Sequence, residues 1–180
     1  MEKLNNKAIG ILGGSFDPTH KGHLTISKIA LKKIKLNKIY WIVTKNNPLK
    51  NKPYFSLEKR LKFARNAVKG LKKIKILYLD KIIKSSRSIN IINYLLKKKK
   101  LNNIHFIIGS DILIELHKWK SWKKIVKMVK LVVFNREGYD RKVNNSIVVK
   151  YLKNKNIIYI KNKPIKISSS ILRNKLKNIS

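Results

Sequence analysis

The sequence predicts an α/β domain, a doubly wound and mostly parallel sheet with helices on both faces, and three observations carry that prediction. Short apolar runs rich in isoleucine, leucine and valine recur along the chain; lysine-studded segments of helical period lie between them; and glycine or polar residues follow the apolar runs. Strands alternating with helices imply right-handed crossovers and a sheet buried on both sides.

The elements follow in order. "KAIGILGG" (7–14) reads as a buried strand ending in a glycine pair, and "HLTISKIALKKI" (23–34) as an amphipathic helix. "KIYWIVT" (38–44) is a second strand. The loop "KNNPLKNKPYF" carries two prolines before Ser56, which caps the helix "LEKRLKFARNAV". "IKILYL" (74–79) is a third strand, "INIINYLLKKKK" a helix, and "IHFIIGSD" (104–111) a fourth strand. A helical stretch around "HKWKSWKKIVKMV", the strands "KLVVFNREGY" and "NIIYIKN", and a last short helix in "ISSSILRNKLKN" complete the pattern. "DRKVNNS" (140–146) is expected to be a mobile loop.

With 180 residues and 43% of them hydrophobic, the chain suits one domain over 1–180 with a single core and site. No apolar run reaches the roughly 18 residues of a membrane helix, and no signal peptide is expected. Cysteine is absent, which excludes disulfides, thiolate metal sites and a cysteine nucleophile. A cytoplasmic location is expected. The net charge of +36 permits binding to nucleic acid. The lysines are nevertheless spread over every segment, and lysine, isoleucine and asparagine together reflect adenine- and thymine-rich codons. A specific nucleic-acid partner is therefore not expected.

In parallel sheets ligands bind beyond the carboxyl ends of the strands. "GGSFDPTHKGH" (13–23), Gly109 to Asp111 and Arg136 to Gly138 all follow strands, so they are expected at one edge. Gly13 and Gly14 allow a sharp bend and close approach of a ligand, and Pro18 stiffens the exit. His20 and His23, three apart, would share one face at a helix start near Thr19, where free N–H groups and the dipole favour a phosphate. His-x-x-His is also a metal-pair spacing, and Asp17 keeps that option open. Neither the G-x-x-x-x-G-K-[ST] loop nor G-x-G-x-x-G is present.

This opening motif resembles the F-D-P-x-H-x-G-H signature of the T/H-x-G-H nucleotidyltransferase superfamily, and "ISSSILR" (167–173) resembles its second signature. "FIIGSD", the paired tryptophans and "VVFNREGY" are similar to the nicotinate mononucleotide adenylyltransferase branch, which has a Rossmann-like fold. The resemblance implies adenylyl transfer from ATP to nicotinate mononucleotide with magnesium, carried mainly by the nucleotide phosphates. It implies catalytic roles for His20, His23 and Arg173. It places ATP against Gly13, Gly14, Ser15, Phe16, Asp17, Gly22, Gly109, Asp111, Ile167, Ser169 and Ser170, with Asp111 on the ribose. Asp17 would order the loop or reach magnesium through water.

The same resemblance puts the acceptor against Lys45, Lys50, Ser88, Asn90, Trp119 and Arg136, with Trp119 stacking on the pyridine ring. One departure stands out. The family reads the nicotinate carboxylate with a Tyr-Thr pair before the helix at Ile91, whereas this chain has "SSRSINII". Other branches compete, among them phosphopantetheine adenylyltransferase and glycerol phosphate cytidylyltransferase. Read singly, His105 and His117 are structural, Trp122 packs a helix on the sheet, and Asp111 is also a helix cap.

Overall fold

The computed structural model describes residues 7–46, 51–162 and 167–177. Six strands form one sheet in which every pairing is parallel: β1 (Ile9–Gly14), β2 (Lys38–Val43), β3 (Ile74–Leu77), β4 (Ile104–Gly109), β5 (Lys130–Phe134) and β6 (Ile157–Ile160). Their order is β3-β2-β1-β4-β5-β6. The chain winds outward from β1 in one direction and, from β4, in the other. A crevice therefore opens between the carboxyl ends of β1 and β4, where the winding reverses.

Each strand is apolar on both faces because both faces are covered. In β1, Ile11 enters one hydrophobic cluster and Leu12 the other; in β5, Leu131 and Val133 face the first while Val132 and Phe134 face the second. The first cluster packs under α4 (Ser88–Lys98) and α6 (Trp122–Met128), and the second under α1 (Lys21–Lys33) and α2 (Leu57–Ala67). Ser56 caps α2 by accepting from Lys59 N–H at 3.2 Å, as its sequence position predicts.

Four local expectations are corrected. The "HKWKSWKK" stretch is not one helix: a 3₁₀ turn over Leu116–Lys118 is followed by extended backbone at Trp119 and a left-handed Ser121 before α6. "DRKVNNS" carries the helix α7 (Asp140–Asn144), and Ser146 then caps α8 (Ile147–Leu152), which the apolar "SIVV" run had not announced. A short helix α3 (Asp80–Ile83) follows β3, and α5 (Ser110–Glu115) starts where β4 was expected to continue. The helix after the opening motif starts at Lys21, with His20 as its cap, rather than near Thr19. The final helix, α9, spans Ser169–Lys177.

Candidate active site

The opening bend was expected to turn on its glycines, and it does not. Gly13 and Gly14 are the last two residues of β1, paired in register with Ile42 and Val43. The left-handed conformation falls instead on Phe16, at φ 49°. Such a backbone is strained for a bulky side chain and persists only where packing holds it. Phe16 is buried, stacked on Trp41 at 5.2 Å and lying 4.7 Å from the His23 ring. A Cβ built on Gly13 or Gly14 would meet only ring atoms of Phe106 or Phe16 and the Phe16 backbone N, at 3.8–3.9 Å, ordinary contact distances. Both glycines border open cleft, so what they spare is room for a ligand.

Hydrogen bonds between histidines and backbone organise the start of α1. Gly22 N–H donates to His20 Nδ1 at 3.1 Å, and His20 N–H donates to His23 Nδ1 at 3.3 Å. The ring centroids are 3.9 Å apart. Burial, and then the charge of Arg136, lower the His20 pKa to about 4. Burial, the neighbouring His20 and Arg136 lower that of His23 to about 3, against a raising bond from the His20 backbone. Both rings are therefore neutral near pH 7. With Nδ1 accepting in each, the single ring proton sits on Nε2. The pair supplies two Nε2–H donors and no formal charge. Deeper in, Trp41 Nε1–H donates to Ser27 Oγ and Ser27 Oγ–H to the His23 carbonyl, both at 2.8 Å, which ties α1 to β2.

Two groups that local sequence patterns do not reveal hold the bend in place. Arg60, from α2, is buried and donates to four carbonyls: Ser15 at 2.6 Å, Thr44 at 2.8 Å, Lys45 at 2.9 Å and Phe55 at 3.1 Å. Asp80 is buried at the start of α3, and its Oδ2 accepts from Lys45 N–H at 2.7 Å and from Ser86 Oγ. Asp17 orders the loop: its carboxylate accepts from Tyr54 and Phe55 N–H at 2.8 and 2.9 Å. From the far end of the chain, Ser169 Oγ donates to the Pro18 carbonyl at 2.9 Å and Arg173 Nη1 to the Asp17 carbonyl at 2.6 Å. The two sequence motifs are thus clasped together.

Two clefts flank this edge of the sheet. The first, about 280 Å³, is lined by His20, Gly22, His23, Gly109, Arg136 and Ile167 among others. The second, about 250 Å³, runs over Ile11 and Phe106 and is bounded by Gly13, Gly14, Ser88 and Trp119. Asp111 and Arg136 are paired across the first cleft's wall at 3.0 Å, and Arg136 N–H donates to Ser110 Oγ at 2.9 Å. Gly109 is a matter of space: a Cβ there would collide with Asp111 Oδ1.

Most of the expected residues converge. Arg136, expected beside the acceptor residues, stands instead with the histidines, apart from Ser88 and Trp119. Trp119 packs edge-on against Phe106 at 6.1 Å and faces the second cleft. Lys45 contributes its backbone to Asp80 and Arg60. Asn90 is exposed, outside the cleft lining, with its amide on Ser85 Oγ at 2.9 Å. Ser170 Oγ accepts from Arg173 Nη2 at 3.0 Å. Lys50 lies outside the described residues. Among the described residues no three His, Cys, Asp or Glu side chains are grouped to hold a metal ion.

One edge of the six-stranded parallel sheet thus carries a histidine pair and a distant Ser/Arg helix closing on one bend. Residues 11–175 match the cytidylyltransferase-like family. A protein of Pelagibacter ubique (strain HTCC1062) is 45% identical over 94% of this chain and 95% of its own length. One of Clostridium novyi (strain NT) is 34% identical over 96% of this chain and 88% of its own. Each bears the name "Probable nicotinate-nucleotide adenylyltransferase". The nicotinic acid mononucleotide adenylyltransferase of Plasmodium falciparum, solved in complex with APC, shares the fold with a TM-score of 0.74 at 17% identity, over 93% of this chain and 83% of that one. The chain belongs to the cytidylyltransferase-like family and, within it, to the nicotinate-nucleotide adenylyltransferases.

Proposed function

We propose that this chain transfers the adenylyl group of ATP to nicotinate mononucleotide, giving deamido-NAD and pyrophosphate. The observation that carries the reading is the pair of clefts lined by the two ends of the opening motif, Gly13 and Gly14 beside Trp119 in one and the neutral donors His20 and His23 in the other. It is supported by the 45% identity to the Pelagibacter protein along nearly the whole chain.

In this reading ATP occupies the histidine cleft and the acceptor occupies the second. An oxygen of the acceptor's phosphate attacks the α-phosphorus in line. A new P–O bond forms as the bond from that phosphorus to the bridging oxygen breaks, and pyrophosphate leaves with the electron pair. No enzyme group is covalently engaged, so rate comes from positioning and from donors aimed at the charge developing on the phosphate oxygens. His20 and His23 supply Nε2–H donors there, and Arg136 adds positive charge. Arg173, Ser169 and Asp17 hold the bend. The carboxylate of Asp17 accepts from the 54–55 backbone; magnesium carried by the nucleotide phosphates would offset their charge. Among the described residues no helix is long and apolar enough to cross a membrane, and the use of ATP fits the cytoplasm.

The test is pyrophosphate release with ATP and magnesium, offering nicotinate mononucleotide, its amide and phosphopantetheine in parallel. Release with the nicotinate nucleotide, reduced about 10²- to 10³-fold by His23→Ala, is expected for loss of an oriented donor. Release only with phosphopantetheine would overturn the reading.

A further inference from the structure

His23 lines the first cleft with its proton on Nε2, and little in its own bonding fixes where that donor points. Its Nδ1 is held by one long contact, 3.3 Å from the His20 backbone nitrogen, beyond the usual reach of about 3.2 Å. The χ2 torsion of an imidazole is broad, so this bond alone leaves the ring room to swing. Packing must supply the rest. The ring lies 4.7 Å from that of Phe16 and 6.0 Å from that of Trp41. Trp41 is fully buried in β2, and neither it nor Phe16 lines a cleft. It nevertheless reaches His23 by two routes. Its indole stacks on Phe16 at 5.2 Å with 23° between the ring planes, and Phe16 packs in turn on the imidazole. Its Nε1–H donates to Ser27 Oγ, whose own proton goes to the His23 carbonyl, both at 2.8 Å.

Resting on the function proposed above, we infer that Trp41 is a positioning residue for the reaction: it sets the direction of the His23 Nε2–H donor without touching a substrate. One route fixes the ring and the other fixes the backbone from which the ring hangs. A buried indole N–H needs an acceptor. A serine one helical turn after His23 serves as that acceptor while giving its proton to the carbonyl one turn back. Phe16, held at φ 49°, keeps that backbone only while its ring has a partner to pack on. Replacing Trp41 by Phe preserves an aromatic face and removes the N–H and the second ring. Replacing Ser27 by Ala breaks the backbone route alone. Displacing a reacting or catalytic group by an ångström costs about 10²-fold in rate, so a small rotation of His23 is felt in turnover.

The experiment measures pyrophosphate release with ATP and nicotinate mononucleotide for Trp41→Phe and Ser27→Ala, each alone and combined with His23→Ala. Ile39→Val is the control for general loosening of the core, since Ile39 lies toward the amino end of β2, in the same buried cluster and outside both clefts. Trp41→Phe should lower kcat by about 10-fold and Ser27→Ala by about 3-fold, with KM for the acceptor held within about 2-fold. In the His23→Ala background neither should lower kcat further, because the donor that they aim is gone. Losses that multiply in full in that background, or an equal loss from Ile39→Val, would make Trp41 an ordinary core residue and overturn the inference. Unchanged kcat on Trp41→Phe would do the same. If Trp41→Phe does not fold, Ser27→Ala decides by these criteria. Nitrogen NMR of the His23 ring reads separately from turnover. At about pH 7 wild type is expected to show one tautomer, protonated on Nε2, and the two variants a mixture. No turnover by wild type, with the tautomer altered in the variants, would remove the proposed reaction and leave Trp41 as the residue that orients His23. Ring signals that both variants leave unaltered would overturn the inference whatever the rates.

Discussion

Arg60 Nη1 donates to the Ser15 carbonyl at 2.6 Å, joining α2 to the bend 45 residues before it in the chain. The same guanidinium holds the end of β2 through the carbonyls of Thr44 and Lys45. Burial disfavours its charge, which the carboxylates of Asp17 and Asp80 favour in turn. Replacing it by Met would leave four carbonyls without this donor and remove a positive charge that Asp17 and Asp80 favour. Arg60→Met is therefore expected to cost about 3 to 5 kcal/mol in urea unfolding. Arg60→Lys should recover only part of this, because an ammonium cannot span acceptors set around a planar fork. A cost below about 1 kcal/mol would show that the bend does not depend on this residue.

The histidine pair sets the sign of an acid dependence. Folded pKa values of about 4 for His20 and about 3 for His23 lie below the ordinary 6.5. Below pH 6.5 the unfolded chain binds protons that the folded chain excludes, so the two rings destabilise the fold progressively as pH falls. Their full contribution is present above pH 6.5 and declines through about 4 and then about 3. Melting temperatures from pH 8 to pH 4 should thus fall less steeply below pH 6.5 for His20→Gln/His23→Gln than for wild type. His105, whose pKa is also lowered by burial, remains in both proteins and cancels. Parallel curves for the two would contradict the neutral, buried pair.

Three glycines at the site are expected to behave oppositely. Gly14→Ala adds a Cβ at ordinary contact distance from Phe16, so stability should hold within about 1 kcal/mol. The methyl group enters the second cleft, and KM for the acceptor should rise; Gly13→Ala should act alike. Gly109→Ala drives a Cβ into Asp111 Oδ1, and its loss of stability should be relieved by Asp111→Ala. Thermal melts of the two singles and the double variant measure this coupling. Additive effects would mean that Asp111 simply rotates away.

The strands, the caps and the two signature motifs were legible because each depends on residues near one another in the chain. Apolar runs broken by helical periods need two covered faces, Ser56 caps the helix beside it, and "GGSFDPTHKGH" follows a strand whatever lies elsewhere. These local terms determined a parallel α/β sheet with the opening motif at the carboxyl end of its first strand. What only the tertiary structure decided involves groups brought together from afar. Arg60 and Asp80 look like one more arginine and one more acid until Ser15, Thr44 and Lys45 present their backbone to them. The left-handed turn sits on Phe16 because Trp41 and His23 pack around that ring, which no glycine rule foresees. Arg136 joins the histidines because β5 lies beside β4, and its charge helps keep both rings neutral. Such effects depend on burial and distance, and those exist only once the sheet has brought its segments together.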